Sequence, residues 1–154
     1  MEKQEFKIVR GTEGKTFELA FIVLAILVWA YTAWAFTQMP ETVPTHFGPS
    51  GAPDAYGSRG KMLIPCILLT VIGAGMMWGV YFHFKVNLPG VDVVNARQAA
   101  LAARMTRTLG LMMLLLSAAI VYDTGRGHIV MVFAALAVLF VACIAFISMI
   151  YKAK

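Results

Sequence analysis

Apolar residues run along this chain in four long blocks parted by polar connections, and the length of each block decides what it can form. The hydrocarbon core of a bilayer is about 30 Å thick and a helix rises about 1.5 Å per residue, so about 20 apolar residues are needed to cross it. Residues 17–38, 62–84 and 129–151 meet that length unaided. A third span, 105–122, has a clean apolar run only from Thr108 to Tyr122, and it lengthens backwards if Arg104 and Arg107 extend their stems towards the headgroups. The pattern predicts an all-α integral membrane four-helix bundle, a single domain over residues 1–154, with its longest polar connection at 39–61 between the first two helices.

Ahead of the third span, Leu88, Pro89 and Gly90 punctuate the chain, and Asp92 or Asn95 is placed to cap a new helix. At 100° per residue Arg97, Arg104 and Arg107 fall within an arc of about 80°, with Val94, Leu101 and Met105 on the neighbouring arc. Residues 92–107 therefore read as an amphipathic segment lying along the inner headgroups before it turns in. A docking face for a cytoplasmic partner is the other reading. Pro65 falls in the first turn of the second span, where a missing amide hydrogen costs little. Gly75 and Gly79 make a small-residue pair, which implies either an internal seam or a homo-oligomer contact.

Composition sharpens the class. Of 154 residues 60% are apolar and 14% charged, too few polar groups to cover a soluble domain, and too apolar for a disordered chain. The two cysteines, Cys66 and Cys143, fall inside spans and read as small apolar side chains rather than a disulfide. A cleavable signal peptide competes for the first span through Ala33 and Ala35. Its apolar run is too long for a signal core, however, and bulky Trp34 and Phe36 flank the site.

The net charge of +5 would suggest nucleic acid in a soluble chain. Here the cations lie between apolar runs without aromatic platforms beside them, so the lipid bilayer and its anionic headgroups are the expected partners and nucleic acid is not. The N-terminal arm holds Lys3, Lys7, Arg10 and Lys15, the 85–107 connection holds Lys85, Arg97, Arg104 and Arg107, and the tail holds Lys152 and Lys154. Only Arg59, Lys61 and Arg126 fall elsewhere. Lys and Arg are held back on the cytoplasmic side during insertion, which predicts both termini inside and residues 39–61 outside.

That outer connection reads MPETVPTHFGPSGAPDAYGSRGK. Pro40, Pro44, Pro49 and Pro53 restrict the backbone and Gly48, Gly51, Gly57 and Gly60 permit unusual torsions, so a series of fixed turns is expected rather than helix or strand. Glu41, His46, Asp54, Tyr56, Ser58, Arg59 and Lys61 supply its chemistry.

The arrangement of Pro40, Pro44, His46, Gly48, Gly51, Asp54, Gly57 and Lys61, followed by Pro65, resembles the domain of unknown function at the N-terminus of the SdpI-type bacterial membrane proteins. In that family a proline-x-x-x-proline-x-histidine stretch, then glycine, aspartate and a basic residue, links the first two membrane helices. The resemblance covers about Phe21 to Phe84. It implies a multi-pass protein of the bacterial cytoplasmic membrane with an immunity-like role, recognising a ligand such as a peptide toxin outside the membrane.

Three readings of the loop stay open. In the first, His46 and Asp54 bond to each other or to backbone and the loop is a scaffold. In the second, the loop recognises an extracellular peptide or a lipid headgroup, with His46, Asp54, Tyr56 and Lys61 as binding residues, Phe47 and Arg59 assisting, and Pro40, Pro44, Gly48, Gly51, Gly57 and Pro65 shaping them. In the third, Glu41, His46, Asp54, Asp123 and His128 supply ligands suited to zinc, although no HExxH or CxxC spacing occurs and His83 belongs to the opposite face. No serine or cysteine carries the local signature of a nucleophile, and neither a catalytic residue nor a cofactor is expected. A small transporter is a further class. Glu18, the carboxylate nearest a span, sits beside Lys15 where headgroup water is in reach, and the span interiors lack charge.

Overall fold

The computed structural model describes residues 6–82 and 93–154. Within them lie four helices, α1 (Thr12–Gln38), α2 (Leu63–Gly79), α3 (Ala96–Arg126) and α4 (Val130–Lys152), with a 3-10 turn at Arg59–Met62 leading into α2. All four are long and apolar enough to cross a membrane, α2 when taken with its leading turn. The protein is a multi-pass membrane protein. The first and fourth spans match their predicted limits within a residue or so at the helix C-termini. The second loses its helical geometry after Gly79, and its last two expected residues, His83 and Phe84, lie outside the described residues. So do Lys85, Leu88, Pro89, Gly90 and Asp92.

Asn95 starts α3. Its side-chain oxygen accepts the Gln98 amide at 2.9 Å, satisfying one of the donors left free at a helix start. From there α3 runs unbroken to Arg126, so the amphipathic residues from Ala96 to Arg107 are the first turns of the spanning helix itself and no inward turn follows them. Gly127, at φ +70°, ends it.

The helices alternate in direction, which puts the start of α1, the end of α2, the start of α3 and the end of α4 together at one end, the termini end, and the 39–61 connection at the other. Instead of a square of equal neighbours, α3 is a hub that packs against α1, α2 and α4, while α4 leans principally on α3. The most apolar helix is thus the least covered, as expected where lipid rather than water is the surroundings. Buried cores follow the hub. Phe21, Val28, Met77 and Leu114 pack at mid-depth; Ala102, Met105 and Ile150 join α3 to α4 near the termini.

Helix association in lipid depends on close packing, because lipid tails are as apolar as leucine. The close crossing here is between Gly73 on α2 and Gly110 on α3, where a Cβ on either would lie within 2.8 Å of the other's carbonyl oxygen. At Gly75 and Gly79, the pair read as either an internal seam or a homo-oligomer contact, an added Cβ would meet nothing within 4 Å among the described residues, so neither takes part in this crossing. Trp29, too deep for an interfacial belt, donates its indole hydrogen to Thr70 Oγ1 at 3.1 Å. Cys66 and Cys143 are free thiols, Cys66 fully buried.

The connection between α1 and α2 is a correction to the sequence reading. Thr42–Phe47 (β1) and Pro53–Ser58 (β2) pair antiparallel from Thr42 opposite Ser58 to Phe47 opposite Pro53, with irregularities around His46. Pro44 and Pro53 cannot donate to a ladder. In a two-stranded ribbon, however, both strands are edges, and an absent donor can face outward.

Candidate functional site

The hairpin is built from the residues that the loop composition singled out. At its tip Gly51 N donates to Gly48 O and Gly48 N to Ala52 O, both at 2.9 Å, with Pro49 fixing the turn and Gly51 adopting φ +79°. The tip reaches the start of α4, where the backbone of Gly51 lies against Ile129. Gly57 leaves room for Thr45 and for Lys61, whose Nζ would be 3.4 Å from an added Cβ. Pro40 follows the end of α1, Pro44 lies within β1, and Pro65 stands in the first turn of α2 as expected.

Two contacts fix the hairpin to the bundle. Val43 is buried among Ala35, Met39, Met62, Cys66 and Val121. Arg59 donates from Nη1 to the carbonyls of Phe36 and Met39 at 3.0 and 2.9 Å, and its guanidinium lies 4.6 Å from the Phe36 ring centre. The last carbonyls of a helix lack partners of their own and carry the negative end of its dipole, so a cation placed there satisfies both. Expected among the ligand-facing charges, Arg59 is spent on holding α1.

His46 and Asp54 face each other across the strands, Nδ1 to Oδ1 at 2.5 Å, on an exposed surface. Neither Tyr56, which is 62% exposed, nor Lys61 hydrogen-bonds to that pair. The four expected binding residues therefore divide into a hairpin pair, a solvent-facing ring and a lysine turned to a cleft.

That cleft, of about 360 Å³, lies between the hairpin and the adjoining ends of α3 and α4. Pro44 and Phe47 form its apolar wall on the hairpin side, Ile129 and Val132 that on α4, and Lys61 and Asp123 supply opposite charges. Asp123 is buried, and its Oδ2 accepts the Val132 amide at 2.8 Å, capping α4 from the end of α3. Its Oδ1 lies 2.8 Å from His128 Nδ1, without the alignment of a hydrogen bond. Thr124, also buried, completes the floor. Such a site can hold a group that carries both charge signs beside apolar surface.

Sequence reasoning placed Asp123 only among metal ligands and did not single out Thr124. The available signal was Gly127 just after an apolar helical run, a helix-end mark that puts the preceding turn beside the next helix start. The zinc set divides likewise. His46 pairs with Asp54, His128 stands at Asp123, and among the described residues no three of His, Cys, Asp and Glu gather as a metal would require.

At the termini end, Glu18 does not reach headgroup water. It is buried, held by Arg10 through Nε and Nη2, and it accepts the Tyr81 hydroxyl at 2.7 Å. Those bonds raise the Arg10 pKa above its ordinary value. Arg107 is buried as well, its guanidinium 5.0 Å from the Tyr81 ring centre, so it turns into the protein rather than outward to the headgroups. Arg104 does stay exposed and grips Glu13 with two bonds of 2.6 and 2.7 Å.

Residues 23–69 match the family model described as a domain of unknown function, DUF1648. The matched stretch runs from α1 through the hairpin into α2. Over 135 residues the chain is 30% identical to an uncharacterized protein of Archaeoglobus fulgidus, covering 75% of this chain and 74% of that one. No solved structure matches the chain.

Proposed function

We propose that this chain, which belongs to the same family as the Archaeoglobus fulgidus protein and matches DUF1648 over residues 23–69, recognises a ligand outside the cytoplasmic membrane through its hairpin end. The observation that supports this reading most is the cleft of about 360 Å³ in which Lys61 and the buried Asp123 stand between apolar walls. Sites that orient a ligand typically combine mostly apolar surface with a few fixed polar groups. The orientation draws on the cation distribution, ten of thirteen Lys and Arg lying in the termini-side segments. A secreted membrane-active peptide fits the site, since it offers an apolar face with charges of its own, and the SdpI-type residue pattern supports an immunity-like role in a bacterial membrane.

In the test, cells making the wild-type chain, Lys61→Ala or Tyr56→Ala at equal abundance are challenged with a panel of such peptides. Protection by the wild type that both variants lose supports recognition. Equal survival of cells with and without the chain, across the panel, removes it. The second reading is that the hairpin is a structural cap, favoured by Arg59 and Val43, which tie it to α1 and the core. In that case the variants act through abundance alone.

A further inference from the structure

A second cleft, of about 450 Å³, opens at the other end of the molecule between the first turns of α3 and the last turns of α4. Arg97, Ala100, Leu101 and Arg104 line one wall, a spacing of three, four and seven residues that forms one helical stripe. Met149 and Lys152 face them from α4.

Its walls are fixed relative to each other by amides. Gln98 Nε2 donates to Ile150 O and Asn95 Nδ2 to Ala153 O, each at 3.0 Å, so two carbonyls at the end of α4 take amide donors from α3. Among the described residues Arg97 and Lys152 donate to neither of these carbonyls. Arg104 is offset by Glu13, whereas Arg97 and Lys152 have no acidic partner among the described residues. Two like charges lining one cleft repel each other unless an anion lies between them. Below them Leu101 and the half-exposed Met149 continue the walls as apolar surface towards the membrane-spanning part of α4.

We propose that this cleft binds the headgroup phosphate of an anionic phospholipid, with Arg97 and Lys152 on the phosphate and Leu101 and Met149 against the start of an acyl chain. The combination selects a membrane lipid over a free anion, because a water-soluble phosphate makes no use of the apolar walls. Basic pockets between helices at a membrane surface suit such headgroups in general, each nearby Lys or Arg adding an attraction that salt screens. This inference stands apart from the recognition role of the hairpin end.

The experiment uses the full chain in detergent micelles, with dioleoyl phosphatidylglycerol or dioleoyl phosphatidylcholine added and bound lipid counted by native mass spectrometry. Both cations are exposed, so Arg97→Gln/Lys152→Gln opens no core. Lys7→Gln/Lys15→Gln removes the same charge elsewhere on the chain's N-terminal segment. The wild type is expected to prefer phosphatidylglycerol by roughly tenfold or more, the Arg97/Lys152 variant to lose that preference, and the Lys7/Lys15 variant to keep it. Equal binding of the two lipids by the wild type overturns the proposal, as does equal loss in both variants. Full displacement of the lipid by millimolar glycerol phosphate overturns the choice of a lipid over a free anion.

Discussion

Replacing Gly73 with alanine should weaken the protein, while the same change at Gly75 should not, although the two are neighbours on one helix. A Cβ at position 73 would meet the Gly110 carbonyl oxygen at 2.7 Å and Phe21 at 3.1 Å. Ordinary contact begins at 3.4 Å, so α2 and α3 must part by about 0.7 Å for the methyl to fit. The obstructing atom is backbone and cannot rotate away. Overpacking of that kind costs about 1–3 kcal/mol. At Gly75 nothing lies within 4 Å, so alanine there adds helix propensity, worth up to about 1 kcal/mol, at no packing cost. Titrating both variants in mixed micelles of mild detergent and dodecyl sulfate, followed by circular dichroism, compares the two unfolding midpoints. An equal loss in both variants would refute the reasoning, since it would place Gly75 in a seam. Gly110→Ala should match Gly73→Ala, because its Cβ meets the Gly73 carbonyl oxygen at 2.8 Å.

Other consequences follow from single contacts. Arg59→Gln removes a cation bonded to two carbonyls at the end of α1 and should cost about 1.5–3 kcal/mol in the same titration, against less than about 1 kcal/mol for Glu41→Gln at the start of the hairpin. Asp123→Ala leaves the Val132 amide without its acceptor and should cost about 1–2 kcal/mol, whereas Asp123→Asn, which keeps an accepting oxygen, should recover part of that. A double-mutant cycle on Glu13 and Arg104 should yield only about 0.2–1 kcal/mol and shrink in high salt, because both partners are half exposed.

The spans were legible because bilayer thickness sets a length that a run of apolar residues either meets or misses, and the structure keeps all four. Asn95 as a helix start and Pro65 in a first turn were legible too, since both follow from local backbone chemistry. What depends on the partner across a gap was not. Gly75 and Gly79 have the usual small-residue spacing, yet the residue that matters is Gly73, which happens to face Gly110. Glu18 and Arg107 looked like groups bound for the headgroups, and their burial together beside Tyr81 arises from three helices meeting there. Within the hairpin, the sequence carried the turn chemistry of Pro49 and Gly51 plainly. The prolines hid the strands, because rules drawn from wide sheets penalise residues that a two-stranded ribbon accepts. The cleft was half legible: Lys61 belongs to the motif, while Asp123 comes from a helix more than sixty residues away in sequence and enters only through the fold.

The recognition role requires the hairpin to lie outside the membrane, and one labelling experiment reads its side directly. Cysteine is introduced at exposed Ser50 on the hairpin tip, with Cys143 changed to alanine and Cys66 left buried, and intact cells are treated with a membrane-impermeant maleimide. Full labelling from outside is expected at position 50, and none at a cysteine placed at Lys154. Labelling of position 50 only after the membrane is opened would put the hairpin in the cytoplasm and contradict the recognition role assigned to it.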